Sequence, residues 1–126
     1  MLELVKSLYI HIPFCTQICH YCDFNKFYIQ NQPVDEYIQT LLTEMDLYNL
    51  SQNEPLSTVF IGGGTPSALE PLQLEQLLFS MKEKVTLAPG YEYTVEANPG
   101  DLSKEKLRIM KEAGVSVKVI NMKPYK

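Results

Sequence analysis

Positive charge is scarce in this 126-residue chain: 11 Lys and Arg, spread along its length, stand against 15 Asp and Glu and give a formal net charge of -4. Phosphate backbones are bound by concentrated basic surface, so no nucleic-acid partner is expected. The basic residues from Lys118 to Lys126 are too sparse to reverse this. Long apolar runs are lacking as well. The opening stretch MLELVKSLYIHIPF has neither an uninterrupted apolar segment nor a basic leader, so neither a signal peptide nor a membrane span is expected and the chain reads as cytoplasmic. Low-complexity tracts are missing, and 45% apolar with 21% charged residues is the balance of a folded chain. The length suits one small domain, residues 1–126, and is too short for two. Cysteine is confined to one place: Cys15, Cys19 and Cys22 are all there are. An odd number packed this closely argues against a disulfide framework and for thiols or metal ligands in a reducing compartment.

What is present alternates between two periods. Ser7 to Ile12, SLYIHI, is a short apolar run closed by Pro13, which suits a buried strand. After Pro33, apolar residues fall at Val34, Tyr37, Ile38, Leu41, Leu42, Met45 and Tyr48, one stripe of a helix. STVFI, Ser57 to Ile61, reads as a second strand that stops at Gly62, Gly63 and Gly64. Pro71 opens a second helix with Leu74, Leu77, Leu78 and Met81 on one face. Tyr91 to Glu96 is a third strand with Tyr91, Tyr93 and Val95 on one face. Ser103 caps a third helix that buries Leu107, Met110 and Ala113 and ends at Gly114. VSVKVIN alternates like a fourth strand. Strand and helix alternating three times before a last strand predict an α/β fold with a parallel sheet. Ligands bind at the carboxyl ends of such strands. Three unusual loops fall there: the cysteine loop, GGGTP and EANPG.

The cysteines read CxxxCxxC, in CTQICHYC. Three readings compete. The cysteines are unrelated small residues, although a loop does not supply the burial that usually explains structural cysteine. Alternatively they hold structural zinc with His11 or His20 as fourth ligand, although closed zinc sites generally use two separated pairs and no second pair follows. Or they hold an iron–sulfur cluster. A cube of four irons on three thiolates leaves one iron without a protein ligand, open to a small molecule. S-adenosylmethionine (SAM) chelates such an iron through its amino and carboxylate groups and accepts an electron at its sulfonium.

CTQICHYC matches the CxxxCxΦC signature of radical SAM proteins, with Tyr21 as the aromatic residue before the last cysteine. SLYIHIPFCTQICHYCDFNKFY, FIGGGTPSAL and TVEANPGDLSKEKL, in that order over roughly residues 7–115, resemble the oxygen-independent coproporphyrinogen III oxidase group. The true oxidases of that group carry a further cysteine two residues after the triplet, and this chain has Phe24 there, which is similar to the heme-chaperone (HemW-type) branch. The resemblance implies a radical SAM partial (β/α)6 barrel, of which this chain supplies an N-terminal part with about three βα units plus a fourth strand. It implies a 4Fe–4S cluster on Cys15, Cys19 and Cys22. It also implies SAM contacts from Tyr9, Tyr21, Gly63, Gly64, Thr65 and Glu96, heme as cargo, and heme-accepting proteins and an electron donor as partners. Coproporphyrinogen oxidation in porphyrin biosynthesis is the alternative activity. For Tyr9, Gly63 and Glu96 the plain readings are a packed strand tyrosine, a turn and an exposed strand end. His11 and His20 are candidates to assist heme, against simple packing.

After Val115 the family continues with a glutamine-containing loop of the type GVQSF, whereas this chain reads SVKVINMKPYK. A parallel sheet wants its faces and edges covered, so the expectation is part of a barrel that is not fully active alone.

Overall fold

A computed structural model describes residues 7–15, 27–28, 32–48 and 55–120, with the backbone alone at 15, 27, 28 and 117–120. Strand β1, Ser7–Ile12, is the apolar run ended by Pro13. A two-residue strand β2, Phe14–Cys15, pairs in parallel with β3, Phe27–Tyr28, through Phe14 opposite Phe27 and Cys15 opposite Tyr28. Two residues are too few to show a period, so sequence reading does not find this pair. It closes the base of the cysteine-bearing segment. Cys19, His20, Tyr21, Cys22 and Phe24 lie outside the described residues.

Helix α1, Val34–Asp46, buries Val34, Ile38, Leu42 and Met45 of the expected stripe, leaves Tyr37 and Leu41 half-buried, and ends before Tyr48, which is 60% exposed; Asp35 and Glu36 stand in its first turn, where negative charge complements free N–H groups. Strand β4, Leu56–Gly63, runs past the expected stop at Ile61. Gly62 still pairs with His11 and Gly63 with Ile12, because glycine keeps the N–H and C=O that a ladder uses. A 3₁₀ turn at Pro66–Ala68 leads into helix α2, Pro71–Lys84, which buries Leu74, Leu77, Leu78 and Met81 as its spacing predicts. Gln73 accepts from the Glu70 amide at 3.0 Å and donates to Asp35 Oδ1 at 3.1 Å, which ties the start of α2 to that of α1.

Strand β5, Leu87–Ala97, begins earlier than the expected Tyr91. The strand takes in Pro89 and Gly90 as an irregularity: Leu87 opposes Leu56, Glu92 opposes Thr58, and Gly90 takes φ 75°. A 3₁₀ turn, Pro99–Asp101, precedes helix α3, Lys104–Ala113. Ser103 Oγ accepts from the Lys106 amide at 3.1 Å, and Gly114 at φ 97° ends the helix, both as expected. Met110 and Ala113 are buried, but the third buried residue is Ile109 and Leu107 is 38% exposed. The buried arc centres on the side of Met110 that carries Ile109 and Ala113, and Leu107 falls on the other side. Strand β6, Val117–Ile120, completes the sheet.

The four main strands are parallel and adjacent in chain order, β1-β4-β5-β6. Crossovers of one hand between successive neighbours put every helix on the same face. Helix α2 packs between α1 and α3, and Ile10, Ile12, Val59, Ile61, Tyr93 and Val95 join the helix stripes in one core. Burying one such aliphatic side chain contributes about 1.5–3 kcal/mol, more than the spread of helix propensities, so the burial pattern decides the architecture. Helices on one face belong to a barrel-type winding, whereas doubly wound sheets carry helices on both. Tyr9, His11, Thr58, Phe60, Glu92, Thr94 and Glu96 take the alternate strand positions, which point to the other face.

Tyr93 is 3% exposed, and among the described residues its hydroxyl has no hydrogen-bond partner. It borders a cleft of about 280 Å³ lined by Val59, Met81, Val85, Leu87 and Ala113. Burial first, and Tyr91 second, drive its phenol far above the ordinary range, so it stays neutral. Removing an unpaired buried hydroxyl sacrifices no bond, so Tyr93→Phe is expected to leave stability unchanged or raise it by up to about 1 kcal/mol in urea titration. A loss of more than about 1 kcal/mol would reveal a partner.

Candidate functional site

The carboxyl ends of β1 and β4 are sewn together by backbone bonds, and that of β5 is joined to them through side chains. Gly64 N–H donates to Ile12 O at 2.6 Å and Thr65 N–H donates to Phe14 O at 2.8 Å, so the approach to the cysteines and the glycine loop form one unit. This demands glycine: a Cβ on Gly64 would lie 2.6 Å from Phe14 O, 2.8 Å from Phe14 N and 2.9 Å from Ile12 O. Helix α1 holds the same approach from below. Tyr37 donates to His11 O at 2.5 Å and meets the Phe14 ring edge-on at 5.3 Å. Burial, then Glu44 and Tyr9, raise the Tyr37 phenol, which keeps it a donor.

On the face away from the helices, Glu96 reaches across Gly62 and accepts from Gly63 N–H at 3.2 Å. A side chain at Gly62 would stand 2.6 Å from Glu96 Oε1, so the bare glycine leaves the carboxylate its place. Gly63 takes φ 107°, and a Cβ there would strike the His11 ring at 2.6 Å. His11 Nδ1 and Tyr9 Oη share a hydrogen bond at 3.0 Å. Tyr9 also stacks on Phe60 with centroids 5.9 Å apart and planes 23° apart. Tyr9 is 55% and Phe60 37% exposed, an aromatic pair left open on that face. Partial burial and the Glu96 carboxylate raise the Tyr9 phenol, so it too stays protonated.

Beyond the strands, Ser67 is fully buried in the turn after Thr65 and its Oγ accepts from Asn98 N–H at 2.9 Å. Asn98 Oδ1 in turn accepts from Gly100 N–H at 3.0 Å, which shapes the EANPG loop. The structure thus brings together Tyr9, Gly63, Gly64, Thr65 and Glu96, with the Cys15 backbone at the same end. Cys19, Tyr21 and Cys22 lie outside the described residues, as does His20. His11 is packed against Gly63 and Tyr9. Sequence reading took Tyr37 and Phe60 only as helix and strand residues and gave Ser67 no role; only Asn98, in its Asn-Pro-Gly setting, carried a turn signal.

The amide N–H groups of Gly63, Gly64 and Thr65 are all engaged, by Glu96, Ile12 and Phe14. Among the described residues, what this end of the sheet presents beside those engaged amides is the Glu96 carboxylate, flanked by the Tyr9–Phe60 aromatic pair. That donor–acceptor balance suits a cationic group such as an ammonium.

A parallel sheet wound with all its helices on one face, with the loops at the carboxyl ends of its strands stitched together, defines a barrel-type α/β protein. The chain belongs to the Radical SAM superfamily, whose profile matches residues 9–124. It is 54% identical over 114 residues to the heme chaperone HemW of Bacillus subtilis, covering 89% of this chain and 30% of that protein. To the heme chaperone HemW of Escherichia coli it is 42% identical over 112 residues, covering 87% and 30%. The fold matches the coproporphyrinogen III oxidase HemN of Escherichia coli, a radical SAM enzyme, with a TM-score of 0.81 at 24% identity, over 98% of this chain and 29% of that one. The chain spans about 30% of the length of these curated relatives.

Proposed function

We propose that this chain is the cluster- and SAM-binding part of a heme chaperone, which binds heme and passes it to acceptor proteins in the cytoplasm. Cys15, Cys19 and Cys22 hold a 4Fe–4S cluster as thiolates, and Tyr9, Tyr21, Gly63, Gly64, Thr65 and Glu96 surround SAM. When bound, the cluster supplies an electron to the sulfonium of SAM. The chain's own residues bind and orient. Glu96 receives the ligand's ammonium, the bare Gly62 leaves that carboxylate its place, Gly64 lets the loop close on Ile12 and Phe14, and Tyr9 offers an aromatic wall.

The observation that supports the SAM site most is that Glu96, Gly63 and Tyr9, far apart in sequence, converge on one strand end whose amide donors are already used. The heme reading rests on similarity to heme chaperones and on Phe24 standing where an oxidase carries its further cysteine. Among the described residues no helix is long and apolar enough to cross a membrane.

The test is anaerobic reconstitution followed by two assays, heme titration by absorbance and porphyrinogen turnover with SAM cleavage. Heme binding without porphyrinogen turnover is expected. Turnover of porphyrinogen would transfer the chain to the oxidase reading. Glu96→Gln removes the charge that meets the ammonium and is expected to weaken SAM binding about tenfold or more, measured by equilibrium dialysis. Unchanged affinity would remove Glu96 from the site.

A further inference from the structure

Lys106 occupies the third position of α3, three residues after the Ser103 cap. A capping box places Glu or Gln there, and a cation so near a helix N-terminus faces the positive end of the helix dipole. The side chain nevertheless does not run out to solvent. Its ammonium donates to Ser67 O at 2.7 Å and to Asp101 O at 2.8 Å. Ser67 lies in the turn after the glycine loop, and Asp101 closes the turn after Asn98. One cation therefore bridges the loop after β4 and the loop after β5. Burial lowers the pKa of the ammonium against the opposing pull of Asp101 and Glu70. A lysine held in an unfavourable place by two backbone carbonyls invites the question of what it secures.

Among the described residues, three of the links between these loops lie in order outward from the sheet. Nearest the sheet is Gly63 N–H to Glu96 Oε1, at 3.2 Å. Next is Asn98 N–H to Ser67 Oγ, at 2.9 Å. Outermost is Lys106, bonded to both sides. A ligand that draws on Glu96 competes with the first link, and the other two then carry the spacing. Thr65 precedes Ser67 by two residues and Glu96 precedes Asn98 by two, so a shift at either anchor is passed directly to the ligand-facing groups.

We propose that Lys106 is a positioning residue that clamps the loops after β4 and β5 at the separation SAM binding requires, without touching SAM itself. The clamp rests on the SAM site proposed above.

The experiment compares the full chain with Lys106→Met, Lys106→Arg and Lys106→Gln after anaerobic reconstitution with iron and sulfide. Iron per chain, SAM affinity and the SAM-induced change in the electron paramagnetic resonance spectrum of the reduced cluster are measured. Lys106→Met is expected to load iron like the parent and to bind SAM about tenfold more weakly, since small misplacements of binding groups are amplified in affinity. The spectral change then appears only at correspondingly higher SAM. Lys106→Arg, which keeps charge and donors, is expected to stay within about threefold of the parent. Lys106→Gln keeps helix propensity and serves if the methionine variant fails to fold; it is expected to lose at least about threefold. A merely structural role would lower thermal stability and leave the SAM affinity of the folded protein unchanged. Parental affinity in a charge-removing variant that loads iron overturns the clamp. A parent that loads iron yet leaves SAM unbound overturns the SAM site itself, and is recognised before any variant is compared.

Discussion

Gly64→Ala is expected to destabilise the protein by about 3 kcal/mol or more and to abolish SAM binding, because the new methyl has nowhere to go. All three of its nearest neighbours are backbone atoms, Phe14 O, Phe14 N and Ile12 O, at 2.6, 2.8 and 2.9 Å. A flexible side chain would swing aside; a strand end cannot. Relief means lengthening the Gly64–Ile12 and Thr65–Phe14 bonds, which join the glycine loop to the approach of the cysteines. Packing and ligand geometry therefore fail together. Gly100→Ala is the control, since its Cβ would meet only Asn98 Oδ1 at an ordinary 3.7 Å. Urea titration should place that variant within about 0.5 kcal/mol of the parent. Equal stability of the two variants would show that the stitched geometry is not what fixes these loops.

Serine at Cys15, Cys19 or Cys22 is expected to lower iron from about four per chain to below one, with the visible charge-transfer absorbance lost alongside it. On the proposed assignment each ligand is a thiolate, and a serine hydroxyl stays protonated at neutral pH and cannot replace it. Three thiolates leave no spare, so the three substitutions should be equally severe. One cysteine whose loss is tolerated would break the assignment of the triplet as a ligand set.

Most of the architecture was legible because burial imposes a period. The core of the α1 stripe, the α2 stripe, the Ser103 cap and the Gly114 stop each depend on side chains a few residues apart. What escaped depends on partners distant in sequence. The early start of β5 is fixed by its pairing with β4 across a register shift, which no local reading of Pro89 and Gly90 contains. Leu107 fits the helical period as well as Ile109 does, and only the packing direction of α3 chooses between them. In the site, the glycine run and Glu96 were readable as strand-end features. That Gly62 is bare because Glu96 lies over it needed the fold. Ser67 and Lys106 bond to main-chain atoms, which every residue has, so their partners leave no mark in the sequence. The signal that did exist for Lys106 was a misfit, a cation where a helix start favours an acid or its amide.

The central claim is that the three cysteines carry an iron–sulfur cluster with a place for SAM. Metal and sulfide analysis of the anaerobically reconstituted chain tests it most directly. The account predicts about four iron and four acid-labile sulfide per chain, with no stoichiometric zinc. About one zinc per chain with no sulfide would contradict it and make the cysteine segment a structural metal site.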